Sequence, residues 1–253
     1  MRPRIAIPMP HGTDRQYAER AIPQYERAVE LCGGQAVRIP LDKSATEVRS
    51  TAASCSAVLL PGSKADVDPA RFHSPRSPHT AEADPQRDTV DGLLLEDAYS
   101  HRKPILGICY GLQSLNVHRN GSLIQHIPDF LPEEVRGKIN HEAGGKVAIA
   151  HSVAVEPGSR LAAIVSPDAQ GWKSEIQRPL PVNSSHHQSA GVIGRGLRIV
   201  ARCPDDGIVE ALEGTSPDHF VLAVQWHPER SVKDDFASPA IFRALIQAAK
   251  EKN

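Results

Sequence analysis

Pro104-Ile105-Leu106-Gly107-Ile108-Cys109-Tyr110-Gly111-Leu112 is the stretch on which the reading of this chain turns. A short apolar run opening after a proline reads as a buried strand, and Leu112 and Leu115 begin a helical spacing that ends by Gly121. A cysteine between the two, flanked by small residues, is the thiol version of the nucleophile elbow. The tight turn crowds its neighbours, hence the glycines. It also leaves the thiol at a helix N-terminus, where free backbone N–H groups and the helix dipole favour thiolate. A buried cysteine ahead of an ordinary helix start would look the same locally, so the rest of the chain has to decide.

Outward from the elbow, short β-branched runs alternate with helical patterns, which predicts an α/β fold with a mostly parallel sheet. Ile5–Ile7, Val37–Ile39 and Ala57–Leu60 read as the first three strands. A helix is expected from about Pro23, with Tyr25, Ala28, Val29 and Cys32 on one face and Gly33-Gly34 ending it. Val90, Leu93, Leu94 and Ala98 mark another. Between them, Ser63 to Arg87 reads as one long loop, of a length that in compact domains is often functional. In the second half, Val147–Val155, Leu197–Arg202, Ile208–Leu212 and Val221–Trp226 predict strands joined by short turns, some of them antiparallel. Ala240, Ile241, Ala244, Leu245 and Ala248 close the chain with an amphipathic helix. No repeat or linker interrupts the pattern, so residues 1–253 are expected to form a single domain.

Composition narrows the class. The chain has 253 residues, 40% hydrophobic and 23% charged, with a formal net charge of -1, so a nucleic-acid partner is not expected. No apolar run reaches membrane-spanning length, and a cytoplasmic protein with no membrane partner is expected. Cys32, Cys55, Cys109 and Cys203 stand far apart with no metal-ligand spacing, which fits a reducing compartment. The twelve histidines are scattered. His186 and His187 are adjacent and would point to opposite faces of a strand, so neither a metal nor any other cofactor is expected.

Val224-Gln225-Trp226-His227-Pro228-Glu229 supplies what the elbow lacks. A thiol nucleophile benefits from an imidazole that takes its proton and returns it to the leaving group. That imidazole needs an acceptor to fix its tautomer. If the chain stays extended past Trp226, His227 and Glu229 point to one side and can meet.

The elbow with Gln113, together with Gln225 to Glu229, resembles the class I glutamine amidotransferase superfamily. More narrowly the chain is similar to the γ-glutamyl-γ-aminobutyrate hydrolase family. That likeness rests on Leu59 to Ser63, Asp66 to Pro69, Arg87-Asp88, Lys103 to Val117, Gly121 to Gln125, Glu156 to Leu161, Val182 to Gln188 and Gly207 to Leu212. The resemblance implies a flavodoxin-like three-layer sandwich, with helices on both faces of a mostly parallel central sheet and additional antiparallel strands in the C-terminal half. It implies a triad of Cys109, His227 and Glu229, and an oxyanion hole from backbone N–H groups of Gly62, Ser63 and Tyr110. Gln113 would contact the glutamyl group, and Ser184, Ser185 and His186 would lie beside it. Ser63 stands where many relatives have a second glycine, which a backbone donor tolerates unless the turn needs positive φ. Asn120 stands where many have another, and Asn tolerates left-handed backbone.

The activity implied is hydrolysis of a γ-glutamyl amide, such as γ-glutamyl-γ-aminobutyrate, through a glutamyl thioester. The alternative is a glutaminase subunit that hands ammonia to a separate synthetase. A non-catalytic binding protein would not need all three triad residues. The partner expected is the small-molecule amide, with a homodimer left open. Arg71, Arg76 and Arg87, in or beside the long loop, are the candidates for reading a carboxylate on the leaving amine.

Overall fold

The computed structural model describes residues 1–166 and 179–252. The first half is a run of strand–helix units. β1 (Arg4–Pro8) leads into α1 (Arg15–Leu31), and β2 (Gln35–Ile39) into α2 (Ala45–Ala53). β3 (Ala57–Leu60), α3 (Pro85–Ser100), β4 (Ile105–Ile108) and α4 (Tyr110–His118) follow. Next come β5 (Leu123–Ile124), a single helical turn α5 (Ile127–Phe130), β6 (His151–Val155) and α6 (Arg160–Val165). β7 (Leu180–Val182), β8 (Ser189–Ala190), β9 (Leu197–Arg202), β10 (Val209–Gly214), β11 (Val221–Val224) and α7 (Ala237–Glu251) complete the described chain.

Among the described residues, nine strands form one sheet in the order β2-β1-β3-β4-β11-β10-β9-β6-β7, while β5 and β8 pair separately. From β2 to β11 every neighbour is parallel, and from β11 to β7 every neighbour is antiparallel. The parallel part has the strand order of flavodoxin-like folds, with β11 as its fifth strand. Alternate residues feed two cores. Ile5, Ile7, Leu59, Leu106, Ile108, Leu222 and Val224 pack with Ile22, Tyr25 and Val29 of α1 and with Ile241, Phe242 and Leu245 of α7. Ala6, Val58, Leu60, Ile105 and Ala223 pack on the other face with Leu94 and Leu95 of α3 and Leu112 and Leu115 of α4. Strands buried on both faces read as continuous apolar runs, which is why they were legible. The expected three-layer sandwich with antiparallel additions is the observed one. No helix among the described residues is long and apolar enough to cross a membrane.

Several boundaries differ from expectation. α1 starts at Arg15, two turns before Pro23, because Asp14 caps it by accepting from the Tyr17 N–H at 2.9 Å. Pro23 lies inside the helix on its exposed side, where water can satisfy the carbonyl left without a donor. α2 was not anticipated, although Ser44 and Glu47 form a reciprocal capping box readable as Ser-x-x-Glu. The strand expected from Val147 begins only at His151, where pairing with Val182 of β7 starts. The loop after Ser63 is shorter than expected, since Asp84 caps α3 and puts Arg87 inside that helix.

Candidate active site

The elbow is built by steric exclusion. Cys109 sits between β4 and α4 with φ +53° and ψ -107°, a left-handed region that costs a non-glycine residue of order 1–3 kcal/mol. A Cβ on Gly111 would run into the Leu60 backbone, and one on Gly107 would come within 2.8 Å of the Gly111 carbonyl group. Both glycines are therefore dictated by close backbone approach. The Cys109 N–H donates to the Val224 carbonyl at 2.8 Å, which ties the elbow to β11.

β11 is the parallel neighbour of β4, with Ile108 beside Val224, so the chain leaving β11 arrives next to the thiol. The Cys109 thiol and the His227 ring both border Gly62 and line one cleft, and His227 Nδ1 lies 2.7 Å from Glu229 Oε1. The contact arises differently from the extended geometry expected. Pro228 to Arg230 form a 3-10 turn, favoured by proline at its first position, and this turn folds Glu229 back onto the ring. Asn183 clamps the histidine backbone from both sides: its Nδ2 donates to the His227 carbonyl and its Oδ1 accepts the His227 N–H, each at 2.9 Å. Cys109, His227 and Glu229 are all buried. Burial pushes the His227 pKa down, but the charges of Glu229 and Cys109 outweigh it and hold the ring at about 9. Burial pushes Glu229 up, and the His227 charge more than offsets this, so its carboxyl falls below the usual range.

These groups open onto a cleft of about 380 Å³ lined by Tyr17, Ser63, Asp66, Gln113, Ser185 and Arg230, among others. Two of the three expected oxyanion donors, Ser63 and Tyr110, line it. Neither N–H has an acceptor among the described residues, and Ser63 does not adopt positive φ. Gly62 is placed differently, because its N–H donates to the Tyr25 hydroxyl at 3.0 Å. Its missing side chain matters instead, since a Cβ there would come within 3.0 Å of His227 Cε1. Asn120 does take a left-handed φ of +65°.

The four expected substrate contacts divide. Gln113 lines the cleft while its Nε2 donates to the Gln188 carbonyl at 3.3 Å. Ser185 lines it with its Oγ accepting from Arg230 Nη1 at 2.7 Å. Ser184 is fully buried and donates to the His141 carbonyl, so it supports the wall from behind. His186 borders the cleft, but its buried ring engages Gln188 and faces Glu210. His187, which the sequence reading did not place at the site, lines the cleft with its Nε2 3.0 Å from Asp66 Oδ2. That reading also passed over Asn183 and Arg230, although both lie in or beside the motifs that were singled out.

The three arginines that were candidates for reading the leaving group are all taken up by the protein. Arg87 is fully buried in α3, pairs with Asp91 at 2.7 Å, donates to the Pro61 carbonyl at 2.7 Å and lies over the Tyr110 ring. Arg71 pairs with Asp88, which also accepts from the Tyr110 hydroxyl. Arg76 donates to the carbonyls of Thr80 and Ala81.

A thiol on a strained strand–helix elbow, beside a histidine–carboxylate pair at the end of the next parallel strand, defines the class I glutamine amidotransferase-like proteins. The chain belongs to the Peptidase C26 family, whose sequence pattern matches residues 6–229. It is 37% identical to the Mycobacterium tuberculosis protein named "Putative glutamine amidotransferase Rv2859c", over 89% of this chain and 66% of that one, just under two thirds of the relative's length. It is 34% identical to the γ-glutamyl-γ-aminobutyrate hydrolase PuuD of Escherichia coli K12, over 76% of this chain and 71% of that one. In fold it is similar to the glutaminase domain of Trypanosoma brucei CTPS, with a TM-score of 0.65 at 17% identity, covering 99% of this chain and 94% of that one.

Proposed function

We propose that the chain hydrolyses a γ-glutamyl amide through a glutamyl thioester, with γ-glutamyl-γ-aminobutyrate or a similar acid-tailed amide as substrate. The observation that carries this reading is the buried constellation in which Cys109 and His227 stand together at an open cleft and Glu229 pairs with His227 at 2.7 Å behind them. His227 takes the thiol proton, and the Cys109 sulfur attacks the γ-carbonyl carbon. Charge developing on the oxygen is met by the N–H groups of Ser63 and Tyr110. The intermediate collapses as His227 returns the proton to the departing amine. Water, deprotonated by His227, then cleaves the thioester, releasing glutamate and the free thiol. Glu229 holds the ring orientation and offsets the imidazolium charge throughout.

For recognition, Gln113 and the Ser185–Arg230 pair face the glutamyl group. With the three arginines engaged elsewhere, Lys64 is the cation of the long loop that lines the cleft and can meet a carboxylate on the leaving amine. The second reading, a glutaminase that supplies a synthetase, is favoured by the name of the mycobacterial relative. Kinetics on a panel of γ-glutamyl amides and glutamine, run on the purified chain alone, separates the two. Turnover of an acid-tailed amide with a much higher kcat/KM than glutamine is expected. Silence on the whole panel, with ammonia released from glutamine once a synthetase is added, establishes the second reading instead.

A further inference from the structure

Away from the thiol, three imidazoles converge on one buried carboxylate. His141 Nδ1, His151 Nε2 and His186 Nε2 lie 3.3, 3.4 and 3.5 Å from Glu210 Oε1. All four residues are at least nine-tenths buried. None of the three ring nitrogens, and neither Glu210 oxygen, has a hydrogen-bond partner among the described residues. A buried carboxylate and three unpartnered nitrogens are costly to leave so, and more costly when charged.

The far side of each ring explains the near side. His141 Nε2 faces Asp206 Oδ2 at 2.9 Å, His151 Nδ1 faces the Ser152 carbonyl at 3.2 Å, and His186 Nδ1 faces the Gln188 carbonyl at 2.9 Å. Carbonyls and carboxylates only accept, so each outer nitrogen carries a proton, and a neutral ring then turns a lone pair inward. This is the outer-shell arrangement that orients metal-ligating histidines. Three such lone pairs and a carboxylate facing one another repel unless protons or a cation lie between them.

We propose that His141, His151, His186 and Glu210 bind a zinc ion as a structural site with three nitrogen ligands and one oxygen. A tetrahedron with bonds of about 2.0–2.1 Å has edges of about 3.3–3.4 Å, which matches the carboxylate–ring separations, and all four donor atoms lie within 4.8 Å of one another. Four buried protein ligands leave no open position for a reacting water, which makes the ion structural. The strand irregularity at Glu210 fits this use. The β9–β10 register shifts between Val209 and Ala211, so Glu210 occupies a bulge that re-aims its side chain. Adjacent His186 and His187 are not joint ligands, since His187 turns to Asp66.

The ion would brace one wall of the cleft. The His141 carbonyl accepts from the His186 N–H at 2.9 Å and from Ser184 Oγ at 2.7 Å, and the neighbouring Glu142, Gly144 and Ser185 line the cleft. The proposal does not depend on the reaction catalysed. Its test is elemental analysis of the chain purified without a polyhistidine tag, with thermal unfolding before and after chelation. About one zinc per chain is expected, with a Tm that falls on chelation and returns on adding zinc. Cys109→Ala should keep the ion, while His151→Ala and Glu210→Gln should lose at least nine-tenths of it. If those variants do not fold, cobalt replacement in the unaltered chain decides. Intense visible bands of a tetrahedral ion without a thiolate charge-transfer band support the site. A thiolate band, loss of the ion in Cys109→Ala, or a metal-free chain whose Tm added zinc does not move would each overturn it.

Discussion

At Cys109 the backbone adopts φ +53°, and the neighbouring Gly107 and Gly111 exist because Leu60 and the turn itself leave no room for a Cβ. The other three thiols lack such a setting. Burial raises the pKa of Cys32 and Cys55, and pushes Cys203 up to about 12. Hence Cys109→Ala should abolish turnover, whereas Cys32→Ala, Cys55→Ala and Cys203→Ala should each retain most of it. A glutamine-like chloroketone should label Cys109 first, as read by peptide mass spectrometry. For Glu229→Gln, a fall in kcat of about 10²–10⁴ is expected, by analogy with triads whose acid was removed. The pH profile gives an independent check. His227 keeps its proton up to about pH 9, above the ordinary value of 6.5, chiefly against burial and with Glu229 as the largest favourable influence. The stability its charge contributes is therefore complete below about pH 6.5 and lost as pH rises through about 9. Removing the Glu229 charge should move the alkaline limb of activity down by roughly 1–3 pH units. An unmoved limb in Glu229→Gln would show that another group sets it. These residues were legible because glycines, proline and a short spacing encode them locally. Asn183 was not, since its hold on His227 is a contact across 44 positions.

The elements show where sequence reading failed and why. A loop of 25 residues was expected from Ser63 to Arg87, with its arginines as candidates for meeting the ligand. The structure ends that loop with the Asp84 cap, and brings Arg87 into the core beside Asp91. Sequence pattern treats arginine as a surface residue, so a fully buried pair at i and i+4 cannot be distinguished from a solvated one. The Arg87 guanidinium holds the Pro61 carbonyl and covers the Tyr110 ring, linking α3 to the turn after β3 and to the start of α4. Arg87→Ala would leave Asp91 buried without its partner, a loss of about 3–5 kcal/mol by analogy with broken buried pairs. Chemical denaturation should show that loss, while Arg49→Ala, which removes an exposed pair with Glu96, should show little. Equal small effects would mean that Arg87 is not the tie described. The unforeseen α2 and the early start of α1 are failures of another kind, because both caps were present in the sequence as Asp14 and as Ser44 with Glu47.

Across the whole molecule, the alternation of strand and helix was enough to read the parallel half, because both faces of its strands are buried. The antiparallel half was read as strands without an order, since short edge pairings such as β6 with β7 have no local signature. What the topology does for function follows from adjacency. β3, β4 and β11 are consecutive in the sheet, and their C-terminal ends deliver the Gly62–Ser63 turn, Cys109 and His227 to one place. Ligands of open α/β sheets bind at those ends. On the reading proposed above, the long loop leaving β3 passes the leaving-group side of the cleft, and Lys64 follows directly on Ser63. Its ammonium lies 3.0 Å from Asp14 Oδ2 and over the Tyr17 ring, half-exposed and on a flexible stem. A carboxylate on the leaving amine would compete with Asp14 for that charge, so the net gain belongs at the low end of charge-assisted contacts, about 1.5 kcal/mol. Lys64→Ala should thus lower kcat/KM for γ-glutamyl-γ-aminobutyrate by roughly tenfold and leave that for γ-glutamyl amides with neutral tails unchanged. Arg71→Ala and Arg76→Ala should not alter this ratio, because Arg71 is paired with Asp88 of α3 and Arg76 is held by the loop carbonyls of Thr80 and Ala81. A ratio that follows Arg71 or Arg76 rather than Lys64 would place the leaving group along the opposite side of the loop.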